Sequence, residues 1–180
     1  MMSEITSLRQ LADIEAIKVL KHRYFRAMDT ADRALLETLF ADDLTVDYRG
    51  SGYRVQISGK ADMLSFLANS FHSGAVAMQH GNMPEITLTG DDTAEGIWYL
   101  FDIFIDSERG SQTIGSAIYK DEYRREDGKW VIARSEYDRI IELNSKLDAA
   151  TVISAQYLAG VGLKPEQRQN ISHLISWEQA

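Results

Sequence analysis

The sequence predicts an α+β fold: a cone-shaped, curved antiparallel sheet with three N-terminal helices, together enclosing a pocket. Three observations predict it. Helical apolar spacing dominates the chain up to Phe71, broken by one hairpin, and the period is two from Ala75 to Ile141. Helices that precede a run of long antiparallel strands segregate to one face of the sheet. Finally, the stretch Ala94–Ile105 has two unlike faces. Ile97, Tyr99, Phe101, Ile103 and Ile105 are uniformly apolar, whereas Ala94, Gly96, Trp98, Leu100, Asp102 and Phe104 mix small residues, an indole and a carboxylate. The mixed face suits a ligand cavity better than a filled core.

The elements follow in order. Leu11, Ile14, Ile17, Leu20, Tyr24 and Met28 recur at helical steps, which predicts an amphipathic helix over Ser3–Met28 with Lys18, Lys21, Arg23 and Arg26 mostly off the stripe. Asp32 offers an N-cap for a second helix, Arg33–Phe40. Leu44, Val46 and Tyr48, then Tyr53, Val55 and Ile57, alternate on either side of Gly50-Ser-Gly52, a hairpin signal. Lys60–Phe71 reads as a third helix. Val76–Leu88 contains Pro84, so it is an edge strand, a bulged strand or two pieces. Ala94–Ile105, Gln112–Arg125 and Lys129–Ile141 are long strands, the last two joined by an Asp127-Gly128 turn. Leu143–Leu158 and Pro165–Trp177 return to helical spacing, which predicts a helical extension over 143–180 of the domain spanning 1–142.

Composition narrows the function. The chain has 180 residues, 44% of them apolar, enough to bury a core without a staple. It has no cysteine, which excludes disulfides, thiolate metal sites and a cysteine nucleophile. A net charge of −8 disfavours nucleic acid and anionic membrane as partners. No apolar run reaches membrane-spanning length and no secretion signal opens the chain, so a cytoplasmic location is expected. No phosphate-binding glycine loop, nucleophile elbow, dinucleotide fingerprint or metal-ligand spacing occurs, so neither a cofactor nor a metal is expected.

Few residues could carry chemistry. Asp29 ends a long helix, where the macrodipole and any burial both raise a carboxyl pKa towards that of a general base. Its alternative is a solvated loop carboxylate. Tyr24 lies on the apolar stripe and its hydroxyl needs a partner. His80 shares a strand face with Val76, Met78 and Asn82, and a lone histidine there is commonly structural. Asp102, within a strongly apolar strand, must be paired or protonated if buried, and Arg139 is the partner that topology offers. Tyr48 ends a strand of inward apolar residues and could simply fill the core.

The order of these residues resembles SnoaL-like proteins of the nuclear transport factor 2-like superfamily, the subgroup with bile acid 7α-dehydratase, scytalone dehydratase and hexachlorocyclohexane dehydrochlorinase. The resemblance runs from about Leu11 to Glu142. It is carried by Asp13-Ile-Glu-Ala-Ile-Lys18, Tyr24-Phe-Arg-Ala-Met-Asp29, Val46-Asp-Tyr-Arg49, His80-Gly-Asn-Met-Pro-Glu-Ile86, Gly96-Ile-Trp-Tyr-Leu100, and Tyr119-Lys-Asp-Glu-Tyr123 with Asp127-Gly-Lys-Trp130. It implies that Asp29 and His80 form the Asp/His pair of these lyases, with Tyr24 and Tyr48 as active-site tyrosines. It further implies that Asp102 and Arg139 are pocket residues, with Trp98, Asn82 and Tyr119 at substrate-facing positions. Trp98 stands where scytalone dehydratase has a second histidine. Tyr24 and Ser135 stand where the dehydrochlorinase has a lysine and an arginine.

The resemblance implies a cofactor-independent lyase that dehydrates a small hydrophobic ring compound beside a carbonyl. His80, oriented by Asp29, would be the base, or the two would exchange roles. A ring isomerase with the same pocket and a non-catalytic binding or assembly module are the alternatives, since this fold is reused without chemistry. The resemblance also implies a homo-oligomer, a trimer by preference, formed through the outer sheet face.

Overall fold

The structure is a computed structural model that describes residues 7–177. Helix α1, Leu8–Asp29, begins at a reciprocal cap: the Gln10 amide donates to Ser7 Oγ at 3.2 Å and the Ser7 amide to Gln10 Oε1 at 3.1 Å. The start expected at Ser3 therefore falls at Leu8, and residues 3–6 lie outside the described chain. Ile17, Leu20, Tyr24, Ala27 and Met28 are buried as a stripe, and Lys21 is buried with them, contrary to its expected place off that face.

Helix α2 is shorter than expected, Arg33–Glu37, capped by Asp32. Phe40 opens strand β1, Phe40–Arg49, because the Leu39 carbonyl already accepts the Ile132 amide at 2.8 Å and so joins the sheet. Strand β2 is Tyr53–Ser58 and helix α3 is Lys60–Ser70. Strands β3 (Ala75–Leu88), β4 (Thr93–Asp106), β5 (Ser111–Glu126) and β6 (Lys129–Lys146) then form one long meander. Pro84 is accommodated both ways that its chemistry allows. β3 is the sheet edge, and its pairing with β4 shifts by a bulge between Asn82 and Glu85, with Met83 at φ 48.

The tail departs from the helical expectation. β6 runs on to Lys146 because the first half of β5 offers it an open edge, with Ile114 opposite Leu143 and Ser111 opposite Lys146. Beyond it, among the described residues, a single α-helical turn forms, α4, Leu158–Val161. Gly160, Gly162 and Pro165 interrupt the apolar spacing, and the Leu163 carbonyl accepts the Ser73 amide at 3.1 Å. Two 3₁₀ turns, Pro165–Gln167 and Ser172–Leu174, lead into β7, Ile175–Trp177, which pairs with β2. Leu158 and Leu174 anchor this segment in the core.

The sheet is a seven-stranded, unclosed and curved layer in the order β3-β4-β5-β6-β1-β2-β7, antiparallel except where β1 meets β6. Its two faces differ as the sequence predicts. Trp98, Leu100 and Asp102 of β4 are buried, whereas Ile97, Tyr99 and Phe101 are each about 40% exposed on the outer face. α1 covers the inner face and approaches β3 so closely that a Cβ on Gly81 would lie 2.0 Å from the Phe25 ring. Gly81 therefore faces inward, and its neighbour in the strand must face outward.

Candidate functional site

A cavity of about 290 Å³ opens between α1, α3 and the inner face of the sheet, with β7 across one rim. Most of its lining is apolar. Its polar groups come from separate strands: Tyr48 from β1, Gln79 from β3, Asp102 from β4, Tyr119 from β5, Tyr137 and Arg139 from β6, together with Tyr24 from α1. Period-two alternation aims each of these strand residues at the same side of the layer.

Three phenols crowd one wall. The Tyr24 and Tyr48 hydroxyls are 3.1 Å apart, and Tyr48 donates to Ser135 Oγ at 3.2 Å. Tyr119 stands edge-on to Tyr48 with ring centroids 5.7 Å apart. Burial holds the hydroxyls of Tyr24, Tyr48 and Tyr119 well above the ordinary phenol range, so all three stay protonated.

Behind this wall lies a charged pair that the sequence reading missed. Lys21 Nζ is 2.7 Å from Asp121 Oδ2, and both side chains are wholly buried. The ammonium also sits 3.8 Å from the centroid of the Tyr119 ring, so the faces of aromatic rings receive the part of its charge that water cannot reach. Desolvation lowers the Lys21 pKa, opposed by the Asp121 charge. Asp121 accepts from Tyr123 and from Ser135, both at 2.7 Å, and Trp98 donates its indole N–H to the Tyr123 hydroxyl at 2.9 Å. The signal was present in the sequence: Ala117, Tyr119, Asp121 and Tyr123 alternate on one face, a carboxylate among buried residues like Asp102.

At the other end of the cavity, Arg139 forms a bidentate pair with Asp102, Nη2 donating to Oδ2 at 2.9 Å and Nη1 to Oδ1. Desolvation is the largest single effect and opposes the Arg139 charge, but the Asp102 hydrogen bonds together with the charges of Tyr53, Tyr137 and Asp102 outweigh it and raise the guanidinium pKa. Glu142 Oε2 lies 3.2 Å from Arg139 Nε, and the Tyr53 and Tyr137 hydroxyls are 2.7 Å apart beside it. Tyr53, Tyr137, Glu142 and Gln79 are cavity residues that the sequence reading passed over; Gln79 was legible only with the register of β3 known.

The structure brings Tyr24, Tyr48, Tyr119, Asp102 and Arg139 together in the cavity lining, and leaves the other four predicted residues, His80, Asn82, Trp98 and Asp29, outside it. His80 pairs in register with Phe101 and, like it, is exposed on the outer face, because the inward positions of β3 are Gln79 and Gly81. Asn82 is exposed on the same outer face and donates only to the His80 carbonyl. Trp98 faces inward but is consumed by the core and by Tyr123.

Asp29 is not among the lining residues; it adjoins the cavity through its flanking Met28 and through Gln79, both of which line it. Its Oδ2 accepts the Gln79 amide at 3.0 Å, while Oδ1 is buried with no partner. Burial raises its pKa to about 6, opposed by the Gln79 amide and by the charge of His80. It is thus a carboxylate poised near neutrality.

One trio, His72, Asp106 and Glu108, brings potential ligand atoms within 4.8 Å of one another. Each is already engaged. Glu108 is bidentate with Arg168, Asp106 Oδ1 accepts the Glu108 and Arg109 amides, and His72 Nδ1 accepts the Gly74 amide. The trio closes a turn. No described helix is long and apolar enough to cross a membrane.

Residues 9–136 match the family model of the SnoaL-like domain. Among solved structures, a hexachlorocyclohexane dehydrochlorinase (LinA, type 2) superposes with a TM-score of 0.70 at 19% identity, over 82% of this chain and 97% of that one. A scytalone dehydratase-like protein from Novosphingobium aromaticivorans gives 0.66 at 19% identity, over 82% and 97%. A protein of unknown function from Mycobacterium tuberculosis gives 0.62 at 17% identity, over 95% of each chain. At these identities the likeness is one of fold.

Proposed function

Because the chain belongs to the SnoaL-like family, a family of small-molecule-processing domains, we propose that it is a cofactor-independent lyase that dehydrates a hydroxylated, hydrophobic ring compound, with Asp29 as base. The observation that carries this reading is the Asp29 carboxylate: one oxygen is buried and unpartnered, the other holds the amide of the cavity-lining Gln79, and burial pushes the pKa up to about 6.

In this reading Asp29 takes a proton from the carbon beside a carbonyl. The electron pair moves into the new double bond as the carbon–oxygen bond at the next carbon breaks. The departing hydroxide takes the proton back from Asp29 and leaves as water, so the carboxylate is regenerated. His80 has no part in these steps. The phenol wall binds polar oxygen on the ring, and the apolar lining excludes bulk water, which strengthens each polar interaction inside.

The test is turnover of β-hydroxy cyclic ketones, followed by the absorbance of the conjugated enone, in the wild type and in Asp29→Asn. Loss of turnover with retained binding supports the lyase. Binding of the same compounds without turnover in the wild type supports the binding-module reading instead.

We also propose self-association through the outer sheet face. Ile97, Tyr99 and Phe101 lie there at about 40% exposure, continuing to Ile141 at 54% and Leu143 at 62%. An apolar stripe this wide, crossing several strands, is characteristic of a buried protein interface.

A further inference from the structure

We propose that a second cavity, apart from the one read as the substrate site, binds an alkyl carboxylate: its apolar interior takes the hydrocarbon chain and Arg33 takes the carboxylate. The inference does not depend on the lyase reading.

The second cavity, of about 180 Å³, lies where the end of α1, α2 and α3 meet the segment that carries α4. Among the described residues that line it, every one is apolar except Arg33. Met28, Leu67 and Phe71 line both cavities, so a wall one side chain thick separates the two. The outer side is closed by Val161 and Leu163, which lie beyond the residues 9–136 that match the family model. The chamber is thus a product of this chain's own tail. That tail is firmly seated here. The Leu163 carbonyl accepts the Ser73 amide at 3.1 Å, Gln156 donates to the Ser73 carbonyl at 2.9 Å, and a Cβ on Gly162 would lie 2.6 Å from the His72 backbone.

The lining decides the chemistry of the occupant. Its apolar walls give water no hydrogen-bond partners, whereas a hydrocarbon chain gains from every methylene it buries. The chamber is smaller than the main cavity, which suits a chain better than fused rings. Arg33 is exposed, so it stands at the mouth, and its side chain makes no hydrogen bond or ion pair with any described residue, Glu37 one turn further on included. A guanidinium presents a planar fork of donors that matches a carboxylate. On a chain of net charge −8, an unpaired cation at the rim of an apolar chamber selects an acidic head group over a neutral one.

Isothermal titration calorimetry of the full-length protein with butanoate, hexanoate, octanoate and 1-octanol reads both halves of the site. Affinity is expected to rise about fourfold for each added methylene. Octanoate is expected to bind about fivefold more tightly than 1-octanol, the scale of a solvent-exposed ion pair. Arg33→Gln should abolish that preference and keep the dependence on chain length. Ala68 lines the second cavity and not the main one, so Ala68→Phe fills the chamber alone and should abolish octanoate binding. No binding by the wild type, or an unchanged preference in Arg33→Gln, overturns the proposal. Octanoate binding that survives in Ala68→Phe overturns it too, because the chain then sits in the main cavity. Should Ala68→Phe fail to fold, Arg33→Gln on the exposed rim still decides. None of these measurements involves turnover, so failure of Asp29 as a base and failure of this site give different results.

Discussion

Asp29 accepts the backbone amide of Gln79, one residue short of His80, across the junction between α1 and the edge strand of the sheet. Gln79 lines the cavity and His80 does not. The same bond sets a carboxylate with one unsatisfied oxygen beside Gln79, and the predictions for Asp29 and His80 follow.

The Asp29 carboxyl has a folded pKa of about 6, above its ordinary 3.8. A base must be ionised, so turnover is expected to fall as pH drops through about 6, and the measurement is kcat/KM against pH. Stability runs the opposite way. A carboxyl whose pKa is raised by folding binds its proton more tightly in the native state, so the penalty for ionising it vanishes below about pH 4 and is complete above about pH 6. Asp29→Asn should therefore be inactive yet relatively more stable than the wild type at pH 7 than at pH 4. Chemical denaturation at the two pH values checks this, and the reverse order would show that Asp29 is well paired in the native state.

His80→Ala should leave both turnover and the affinity for a ring alcohol within about twofold of the wild type, since surface changes of this kind are small. A hundredfold loss of turnover would place His80 in the cavity and contradict its outward register with Phe101.

Arg139→Met should destabilise the fold by about 3 kcal/mol, because it strands Asp102 as a buried, unpaired carboxylate. Changing both residues, Asp102→Leu with Arg139→Met, removes one of the two stranded carboxylates, the other being Glu142, and should recover part of that loss. Urea unfolding of the two variants gives the comparison, and additive losses would mean that the pair is not coupled.

Removing residues 164–180 deletes β7 and the buried Leu174, so a loss of about 2 kcal/mol or more is expected, with weaker binding of 2-decalol because Ile175 and Trp177 line the cavity rim. Trp177→Ala separates the two effects. The side chain is 69% exposed, so stability should barely change while affinity falls. Unaltered affinity in Trp177→Ala would show that β7 serves only the sheet.

Much of the fold could be read in advance because its local signals agree with its packing. The two faces of β4, the Asp127-Gly128 turn and the bulge at Pro84 all follow from period, turn chemistry and the missing proline amide. The Asp102–Arg139 pair was legible for a different reason: a carboxylate in an apolar strand must find a cation. What escaped was set by partners distant in the chain. Leu143–Lys146 has helical spacing but extends a strand, because β5 leaves an edge open there. Lys21 reads as a solvated charge until Asp121 is placed opposite it. His80 and Gln79 differ by one position, and a slip of one residue in a strand exchanges its faces; only the close approach of Phe25 to Gly81 settles which is which.

The pairing of β1 with β6 governs how the protein is made. Arg49 meets Asp138 across a separation of 89 residues, in a parallel ladder that no hairpin can nucleate. During synthesis, α1, α2, β1, β2 and α3 leave the ribosome with one edge of β1 bare and Tyr48 without its Ser135 partner. The long loop must close before that edge is covered, which slows folding and prolongs the interval in which two nascent chains could join edge to edge. The charged positions of β1, Asp42, Asp43, Asp47 and Arg49, lie along the strand that waits, where charge discourages such pairing. The same ladder makes the fold indivisible, since neither half can complete its sheet until the other has been synthesised.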